Sequence, residues 1–243
     1  MIVNYLENGW QIISQRAHGL LAGEICFHWK KENRPERWLE TIIATAGHDD
    51  VFNEFDSDNK LINENGGPVN FKSRKFEKQK CDELIGYALT KSRYIALLTS
   101  RHIRFLYGSS DYKAAKKYAD NLQKQESVWK KEIGLNENEL IHAYAILEWC
   151  DAFSLLICQQ LIQPENRKIE ISTGPDQQCY QLYSLDEKHL HVDPWPFESE
   201  QFEIRYESRT ITQLQFKDVS EFRKILLDVT PELHVYQVSK PKN

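Results

Sequence analysis

The chain has 243 residues, of which 41% are hydrophobic and 28% are charged, and its formal net charge is −5 at pH 7. This length allows one large domain or one domain with an appendage. The mild acidity excludes the diffuse positive field of a nonspecific nucleic-acid binder. The five cysteines lack CxxC spacing, which is typical of reduced thiols and argues against a cysteine zinc finger. Motifs of P-loop, serine-hydrolase, zincin and Rossmann proteins are absent from the sequence.

Hydrophobic periodicity predicts helices over the first two-thirds of the chain. In chain order these helices cover residues 11–30, a segment from Pro35 to the neighbourhood of His48, and residues 76–90, 92–107, 111–132 and 137–163. The segment 50–75 is rich in Asp, Asn and Gly and predicts a long loop. A loop of this length in a compact domain is usually functional or disordered.

The pattern changes after Pro164. Alternation with period two between residues 168 and 216 predicts short antiparallel strands. A helix over 218–228 and a last strand near 233–238 follow. The predicted fold class is therefore mainly α, with a helical bundle over residues 1–165. A small C-terminal antiparallel β/α segment over 166–243 is expected to pack on the bundle rather than to stand alone.

Five polar side chains on or beside the predicted helices suggest a metal site: His18, His48, Asp49, His102 and Asp151. Asp151 lies in an apolar stretch, where a carboxylate is costly without a partner. A cation would supply that partner, and imidazole and carboxylate ligands together suit Mn, Fe, Ni or Zn. The sequence thus predicts a site for one or two divalent ions, and the role of His102 decides between one and two.

Each of these residues also has a structural interpretation. His18 or His102 can be a hydrogen-bonded core histidine, and His48-Asp49 can be a charge pair at a helix C-terminus. Asp151 can pair with a neighbouring Arg or Tyr. The order of the four elements along the chain, each on a predicted helix, favours the metal site.

This order, His … His-Asp … Asp, resembles that of the HD-domain superfamily of metal-dependent phosphohydrolases over residues 11–160. The resemblance implies an HD-like helical bundle that holds one or two metals. It assigns the ligand positions to His18, His48, Asp49 and Asp151, and it places His102 where two-metal members carry a further histidine.

A closer resemblance, covering nearly the whole chain, is to an uncharacterised bacterial family, the domain of unknown function 3891. The motifs that carry it are Gln15-x-x-His18, His48-Asp49-Asp50-x-Phe52 with Asp56 behind, Gly67-Pro68-x-Asn70-Phe71, Ser100-x-His102, Asp151-x-x-Ser154-Leu155 and Asp193-Pro194-Trp195-Pro196-Phe197. The chain departs from the expected pattern at Val51-Phe52, where Gly-Trp would stand. This resemblance supports the architecture and implies no established activity.

The expected function is that of a metal-dependent phosphohydrolase, which acts on a small phosphorylated molecule or nucleotide through a metal-activated water. Gln15, Asp50 and Asp56 are the candidates for orienting that water or transferring a proton, and Gln15 shares a helix face with His18. Whether the chain is an enzyme stays open at this point. The alternative is an inactive HD-like module that binds a ligand or regulates, and a further one is a structural partner protein that pairs through its strand edges.

The N-terminal segment lacks a basic region and carries Glu7, so we expect no secretory signal. The longest apolar runs are too short for a membrane span. We therefore expect a cytoplasmic protein that binds neither membranes nor, nonspecifically, nucleic acids. The sequence leaves a homo-oligomer open.

Overall fold

The structure is a computed structural model that describes residues 1–56, 60–184, 186 and 188–241. Residues 57–59 of the predicted loop, and residues 185, 187, 242 and 243 of the predicted C-terminal segment, lie outside the described residues. The elements in chain order are β1 (Ile2–Leu6), β2 (Gly9–Ile13), α1 (Gln15–Phe27), α2 (Trp38–Ala46), α3 (Lys78–Lys91), α4 (Arg93–Tyr107), α5 (Lys113–Ile133), α6 (Glu137–Cys158), β3 (Ile169–Thr173), β4 (Cys179–Ser184), β5 (His189–Asp193), β6 (Gln201–Ile211), α7 (Val219–Asp228) and β7 (Glu232–Ser239).

The strands of the described part of the chain form one curled sheet with the order β1-β2-β6-β7-β5-β4-β3. Neighbouring strands are antiparallel except β5 and β7, which are parallel. Helices hold 47% and strands 21% of the structure, so the fold is α/β. The predicted mainly α or all-α class is therefore wrong, because the sheet is larger than the C-terminal segment alone and includes the first two strands of the chain.

These N-terminal strands form a hairpin that the sequence analysis missed. Asn8-Gly9 is a strong turn signal between the alternating residues of β1 and β2. Gly9 has a φ of 138°, and a Cβ there would lie 2.1 Å from the Ile211 carbonyl oxygen on β6, so only glycine fits this close approach. Ser14 ends β2 and caps α1 by accepting a hydrogen bond from the Ala17 amide. The helix predicted over 11–30 therefore covers only 15–27.

The other predicted helices are present, with bounds that differ by a few residues. The largest difference is in α6, which ends at Cys158 rather than at residue 163. Because β1 and β2 share a sheet with strands that follow Pro164, the sheet draws on both ends of the chain. The division of the chain near residue 165 stays a prediction.

Two apolar cores meet at α6. One lies between the sheet and helices α1 and α6, where Trp149 and Phe153 are fully buried against Ile204 of β6 and its neighbours. The other lies among α2 to α6 and includes Leu97 and Leu147. In the described part of the chain, α6 is the one helix long and apolar enough to cross a membrane, and 56% of that stretch is buried inside the protein. Such burial is typical of the core helix of a soluble protein.

Helices α1 and α2 approach closely through two glycines. A Cβ at Gly19 would lie 2.5 Å from the Ala46 carbonyl oxygen, and one at Gly23 would lie 2.7 Å from the Ala46 Cβ. Both distances are shorter than a van der Waals contact. Gly19 follows His18 in sequence, and Ala46 ends the helix before His48. The small residues thus let the two helices bring these histidines together.

We expect Gly19→Ala to destabilise the protein, since its methyl group would push α2 away from α1. The cost is about 1–3 kcal/mol of unfolding free energy, as for other overpacked sites, and is measured by urea denaturation. Gly86→Ala on α3 is the matched control, because a Cβ there meets nothing within 4 Å. The control should stabilise by about 0.5–1 kcal/mol through helix propensity. A stabilising Gly19→Ala would contradict the close packing of α1 on α2.

Candidate metal centre

The structure brings together the five predicted metal ligands from four separate helical segments. His18 lies on α1, His102 on α4 and Asp151 on α6, while His48 and Asp49 follow the C-terminus of α2. The side chains of His18, His48 and His102 are at most 3% exposed. The cluster is therefore buried at the meeting point of these helices.

One side-chain atom from each of His18, His48 and Asp151 lies within 3.3 Å of the other two. The His18 Nε2 atom lies 3.2 Å from His48 Nε2. The Asp151 Oδ1 atom lies 3.0 Å from His18 Nε2 and 3.3 Å from His48 Nε2. Ligand atoms about 2.1 Å from a shared ion are roughly 3.0–3.4 Å apart, so the three distances match the edges of a coordination polyhedron.

The hydrogen-bond partners of the two rings assign their tautomers. Ser154 Oγ donates to the Asp151 carbonyl at 2.8 Å, and it therefore accepts from His18 Nδ1 at 2.8 Å. His48 Nδ1 donates to the Thr45 carbonyl at 2.7 Å. When both rings are neutral, as a metal ligand must be, their Nε2 atoms carry the lone pairs. Such outer hydrogen bonds orient the histidine ligands of metal sites.

The third atom strengthens the fit to a cation. Asp151 Oδ1 is buried, and its polar neighbours among the described residues are the Nε2 atoms of His18 and His48. A buried carboxylate oxygen beside two imidazole lone pairs is costly unless positive charge lies between them. Two nitrogens and a carboxylate oxygen suit a borderline divalent metal such as Mn, Fe, Ni or Zn. The residues of the cluster therefore fit the predicted ion.

Asp49 and His102 extend the cluster in two directions. Asp49 Oδ2 lies 3.8 Å from His48 Nε2, and His102 Nε2 lies 4.0 Å from Asp151 Oδ2. Two groups with ligand atoms within 4.8 Å share His48: one adds His18 and Asp49, and the other adds His102 and Asp151. This geometry accommodates one ion or two.

The charges of the cluster shift the pKa values of its histidines in opposite directions. Burial lowers the pKa of His48, but the carboxylates of Asp151 and Asp49 outweigh burial and raise it to about 10. Burial, together with the nearby His48, lowers the pKa of His102 to about 4. Burial alone would raise the pKa of Asp151, yet His48 and His18 bring it well below its usual range. A proton on His48 is thus the alternative to a metal ion as the positive charge of the cluster.

Of the three predicted catalytic residues, the structure brings only Gln15 to the cluster. Its Nε2 donates to Asp49 Oδ2 at 2.5 Å, and its Oε1 is buried without a hydrogen-bond partner among the described residues. The Asp50 carboxylate lies 3.9 Å from Lys91 Nζ, and Asp56 is exposed. Neither aspartate lines the pocket at the cluster.

That pocket has a volume of about 240 Å³, and the cluster forms part of its wall. Its lining combines metal-site residues with aromatic, aliphatic and basic side chains: Gln15, His18, Asp49, Phe52, Phe71, Lys72, Arg74, His102, Leu106, Tyr107, Asp151 and Leu155. Burial raises the pKa of Tyr107 to about 12, with Cys81 and Asp49 adding to the effect. Its phenol therefore stays a hydrogen-bond donor at neutral pH.

Two arginines of α4, which carries His102, contact the buried Glu126 and do not line the pocket. Arg104 Nη1 lies 2.6 Å and Arg101 Nε 3.0 Å from the buried Glu126 carboxylate on α5. Ser100 Oγ donates to the same carboxylate at 2.8 Å. These contacts join α4 to α5 on both sides of His102 in sequence.

Sequence reasoning missed the groups that orient the ligand rings. Ser154 was noted only as part of a motif, and the Thr45 carbonyl was not noted at all. The signal was their spacing, since Ser154 lies three residues after Asp151 and Thr45 three residues before His48. Residues three apart on a helix share a face. Tyr144, whose hydroxyl lies 3.5 Å from His102 Nδ1, was also missed.

A family model described as "Protein of unknown function (DUF3891)" matches residues 1–213. The match covers most of the chain, which therefore belongs to this family. No curated protein and no solved structure matches the chain.

We expect metal binding to displace a proton from His48. In protein stripped of metal by a chelator, a pKa of about 10 keeps the ring protonated at neutral pH, whereas a metal ligand must be neutral. The affinity for Zn²⁺ should therefore rise by about tenfold per pH unit between about pH 6 and pH 8. Calorimetry in two buffers of different ionisation enthalpy measures the proton released. An affinity that is independent of pH, without proton release, would contradict this assignment.

Proposed function

We propose that this member of the DUF3891 family is a metal-dependent phosphohydrolase that acts on a small phosphorylated molecule or nucleotide. The observation that carries the proposal is the convergence of three buried atoms that can ligate a metal, His18 Nε2, His48 Nε2 and Asp151 Oδ1, within 3.3 Å of one another. The basic side chains Lys72 and Arg74 in the same pocket support an anionic substrate.

His18, His48 and Asp151 would hold the ion, with Asp49 and His102 as further ligands or as ligands of a second ion. When bound, a divalent ion polarises a phosphate oxygen and lowers the pKa of a coordinated water. The five residues offer three imidazoles and two carboxylates, a set for Mn, Fe, Ni or Zn. The proposal leaves one or two ions open, because His48 belongs to both ligand groups.

In this proposal Gln15 and Asp49 would bind the attacking water and accept its proton. Gln15 Nε2 holds Asp49 Oδ2, and Gln15 Oε1 has a free acceptor position beside it. Gln15 would accept one hydrogen bond from the water, and Asp49 would take its proton. The water oxygen bonds to phosphorus as the bond from phosphorus to the ester oxygen breaks. The proton then passes to the released alkoxide, so the products are an alcohol and phosphate.

Membership in the HD-domain superfamily is part of this proposal. The ligands follow the order that the resemblance implies, and His18, His102 and Asp151 lie on helices. The seven-stranded sheet lies outside what that resemblance implies. The bundle would then be a shared metal-binding part on which this family adds its own sheet.

A cytoplasmic location is also proposed rather than shown. All five cysteines are free, and four of them are buried. Free thiols in this number are typical of a reducing compartment. With the net negative charge, this supports a protein that binds small molecules and neither membranes nor, nonspecifically, nucleic acids.

A second candidate function is a ligand-binding or regulatory module without turnover. It is favoured by the positions of Asp50 and Asp56, which do not line the pocket. Asp49 and Asp151 are then the only carboxylates among the described lining residues, and the proposal also assigns both to metal binding. If the ion engages both Asp49 oxygens, no base remains for the water.

Purified wild-type protein is expected to carry about one or two divalent ions per chain, as measured by elemental mass spectrometry. Asp151→Asn and His18→Gln should each remove most of that metal, because each takes one ligand atom from the centre. His189→Gln is the matched control, since His189 is about half exposed and pairs with Asp186. Equal metal content in all four proteins would contradict the centre.

The metal-loaded wild type should hydrolyse at least one compound in a panel of phosphomonoesters, nucleotides and cyclic dinucleotides. Asp49→Asn should lower that rate by about a hundredfold or more, the usual effect of losing a general base. Thermal melting establishes that the variant folds. Metal binding without turnover across the panel would favour the regulatory module instead.

A further inference from the structure

The pocket beside the metal cluster has a second chemical feature, the two basic side chains of Lys72 and Arg74. Arg74 follows a single 3-10 turn at residues 71–73. The Asn70 side chain accepts from the Lys72 amide at 3.2 Å, and the Arg74 amide donates to the Phe71 carbonyl at 3.0 Å. The backbone that carries Lys72 and Arg74 is therefore tied down on the pocket wall.

The Arg74 guanidinium stacks on an aromatic ring, and its contact with the nearest carboxylate is longer than a hydrogen bond. Its Cζ lies 3.8 Å from the centroid of the Phe52 ring, which fixes the plane of the group. Its Nη2 lies 3.7 Å from Glu54 Oε1, a distance too long for a hydrogen bond. Glu54 Oε1 is closer to the Met1 amino group, at 2.6 Å.

One end of this guanidinium has a donor to spare. The Arg74 Nη1 atom is buried and has no hydrogen-bond partner among the described residues. A buried charged donor without an acceptor is costly. Since Arg74 lines the same pocket as the metal ligands, an anion bound there would satisfy this donor.

The charges of the pocket set the charge of the anion. The carboxylates of Asp49 and Asp151 carry two negative charges, which balance one divalent ion. Lys72 and Arg74 add positive charge to the same wall, part of which Glu54 offsets at 3.7 Å from Arg74 Nη2. A phosphomonoester is a dianion near neutral pH, so its phosphate matches both the charge and the bidentate geometry of arginine.

The aromatic and aliphatic residues of the pocket determine which kind of group the phosphate of the ligand can carry. Phe52, Phe71, Leu106, Tyr107 and Leu155 surround the pocket. A volume of about 240 Å³ is smaller than the roughly 300–1,000 Å³ of most ligand sites. An apolar body of about the size of one ring is the complement of such walls.

We propose that this pocket binds a phosphomonoester with a compact apolar or aromatic body, and that Arg74, assisted by Lys72, is the residue that selects its dianionic phosphate. The inference rests on the proposed function, because it assumes that the phosphate of the ligand binds beside the metal centre. It goes further by naming the ester class, the charge and the selecting residue.

Binding of benzylphosphonate tests this inference without turnover, because its C–P bond is not hydrolysed. We expect Arg74→Gln in the Mn²⁺-loaded protein to raise the Kd for benzylphosphonate by about ten- to a hundredfold, the effect of losing a charge-assisted hydrogen bond. Arg74→Lys should recover part of the loss.

Lys72→Gln, at an exposed position, should raise Kd by several-fold. Lys75→Gln is the matched control, since Lys75 belongs to the same segment but not to this pocket, and its Kd should stay within about twofold of wild type.

Two further measurements locate the ligand and test its body. Bound Mn²⁺ should broaden the phosphorus resonance of benzylphosphonate in the wild type, which places the phosphonate beside the metal centre. Methylphosphonate should bind at least about tenfold more weakly, because it lacks the ring that the apolar walls would cover. Equal binding of the two phosphonates would overturn the apolar part of the proposal.

The outcomes separate this inference from the proposed function. Binding that depends on Arg74 but is never accompanied by turnover would support the anion site and count against hydrolysis. Turnover of a phosphomonoester with the same KM in Arg74→Gln and wild type would overturn the role of Arg74 and leave the hydrolase intact. Repeating the titration after chelation shows whether Arg74 binds the anion by itself.

Discussion

The structure depends on one electrostatic constraint, namely that three acceptor atoms share a buried space. His18 Nε2, His48 Nε2 and Asp151 Oδ1 lie within 3.3 Å of one another, and the outer hydrogen bonds of the two rings leave each Nε2 without a proton when the rings are neutral. In a low-dielectric interior this arrangement is costly without a positive charge. A metal ion or a proton on His48 supplies that charge. The two differ in chemistry, because only a metal ion gives the pocket a Lewis acid.

The rest of the fold holds these atoms in place. Helix α6 brings Asp151 into the interior because apolar cores cover it on two sides, one formed with the sheet and one with the other helices. Gly19 and Gly23 let α2 approach α1 closely enough for His48 to reach His18. The buried Glu126 ties α4, which carries His102, to α5. Helix packing and buried polar contacts thus both converge on the cluster.

The pocket combines two kinds of side chain. Its wall holds acidic and imidazole groups together with Lys72 and Arg74, and Arg74 lies against the Phe52 ring. The proposed ligand carries a phosphate for the basic groups and an apolar body for the aromatic ones. Gln15 donates to Asp49 through Nε2, and its Oε1 has no hydrogen-bond partner among the described residues. Hydrolysis by a water held at this pair is the proposed use of the arrangement.

Sequence patterns predicted the local features of this protein well. Hydrophobic periodicity predicts the helices α3 to α6. The position of Asp151 in an apolar stretch of sequence predicts a cation as its partner. The choice of His18, His48, Asp49 and His102 as companions rested on their order along the chain, and the structure gathers these residues and Asp151 in two groups that share His48. The same reasoning placed Asp50 and Asp56 at the site, where the structure does not. They follow His48-Asp49 in sequence, but after the end of α2 the chain turns and carries them toward the surface.

By itself, the sequence determined where helices form and which residue types can bind a metal, because both depend on local spacing and side-chain chemistry. Only the tertiary structure decided the fold class, since β1 and β2 acquire their partner β6 from about 200 residues further along the chain. It also decided the orientation of the His18 ring, through Ser154 at a separation of 136 residues, and it left Arg74 Nη1 without a hydrogen-bond partner among the described residues. These features arise from contacts between distant segments. A one-dimensional pattern does not contain such contacts, because they form only when the apolar faces of the helices and the sheet are buried together.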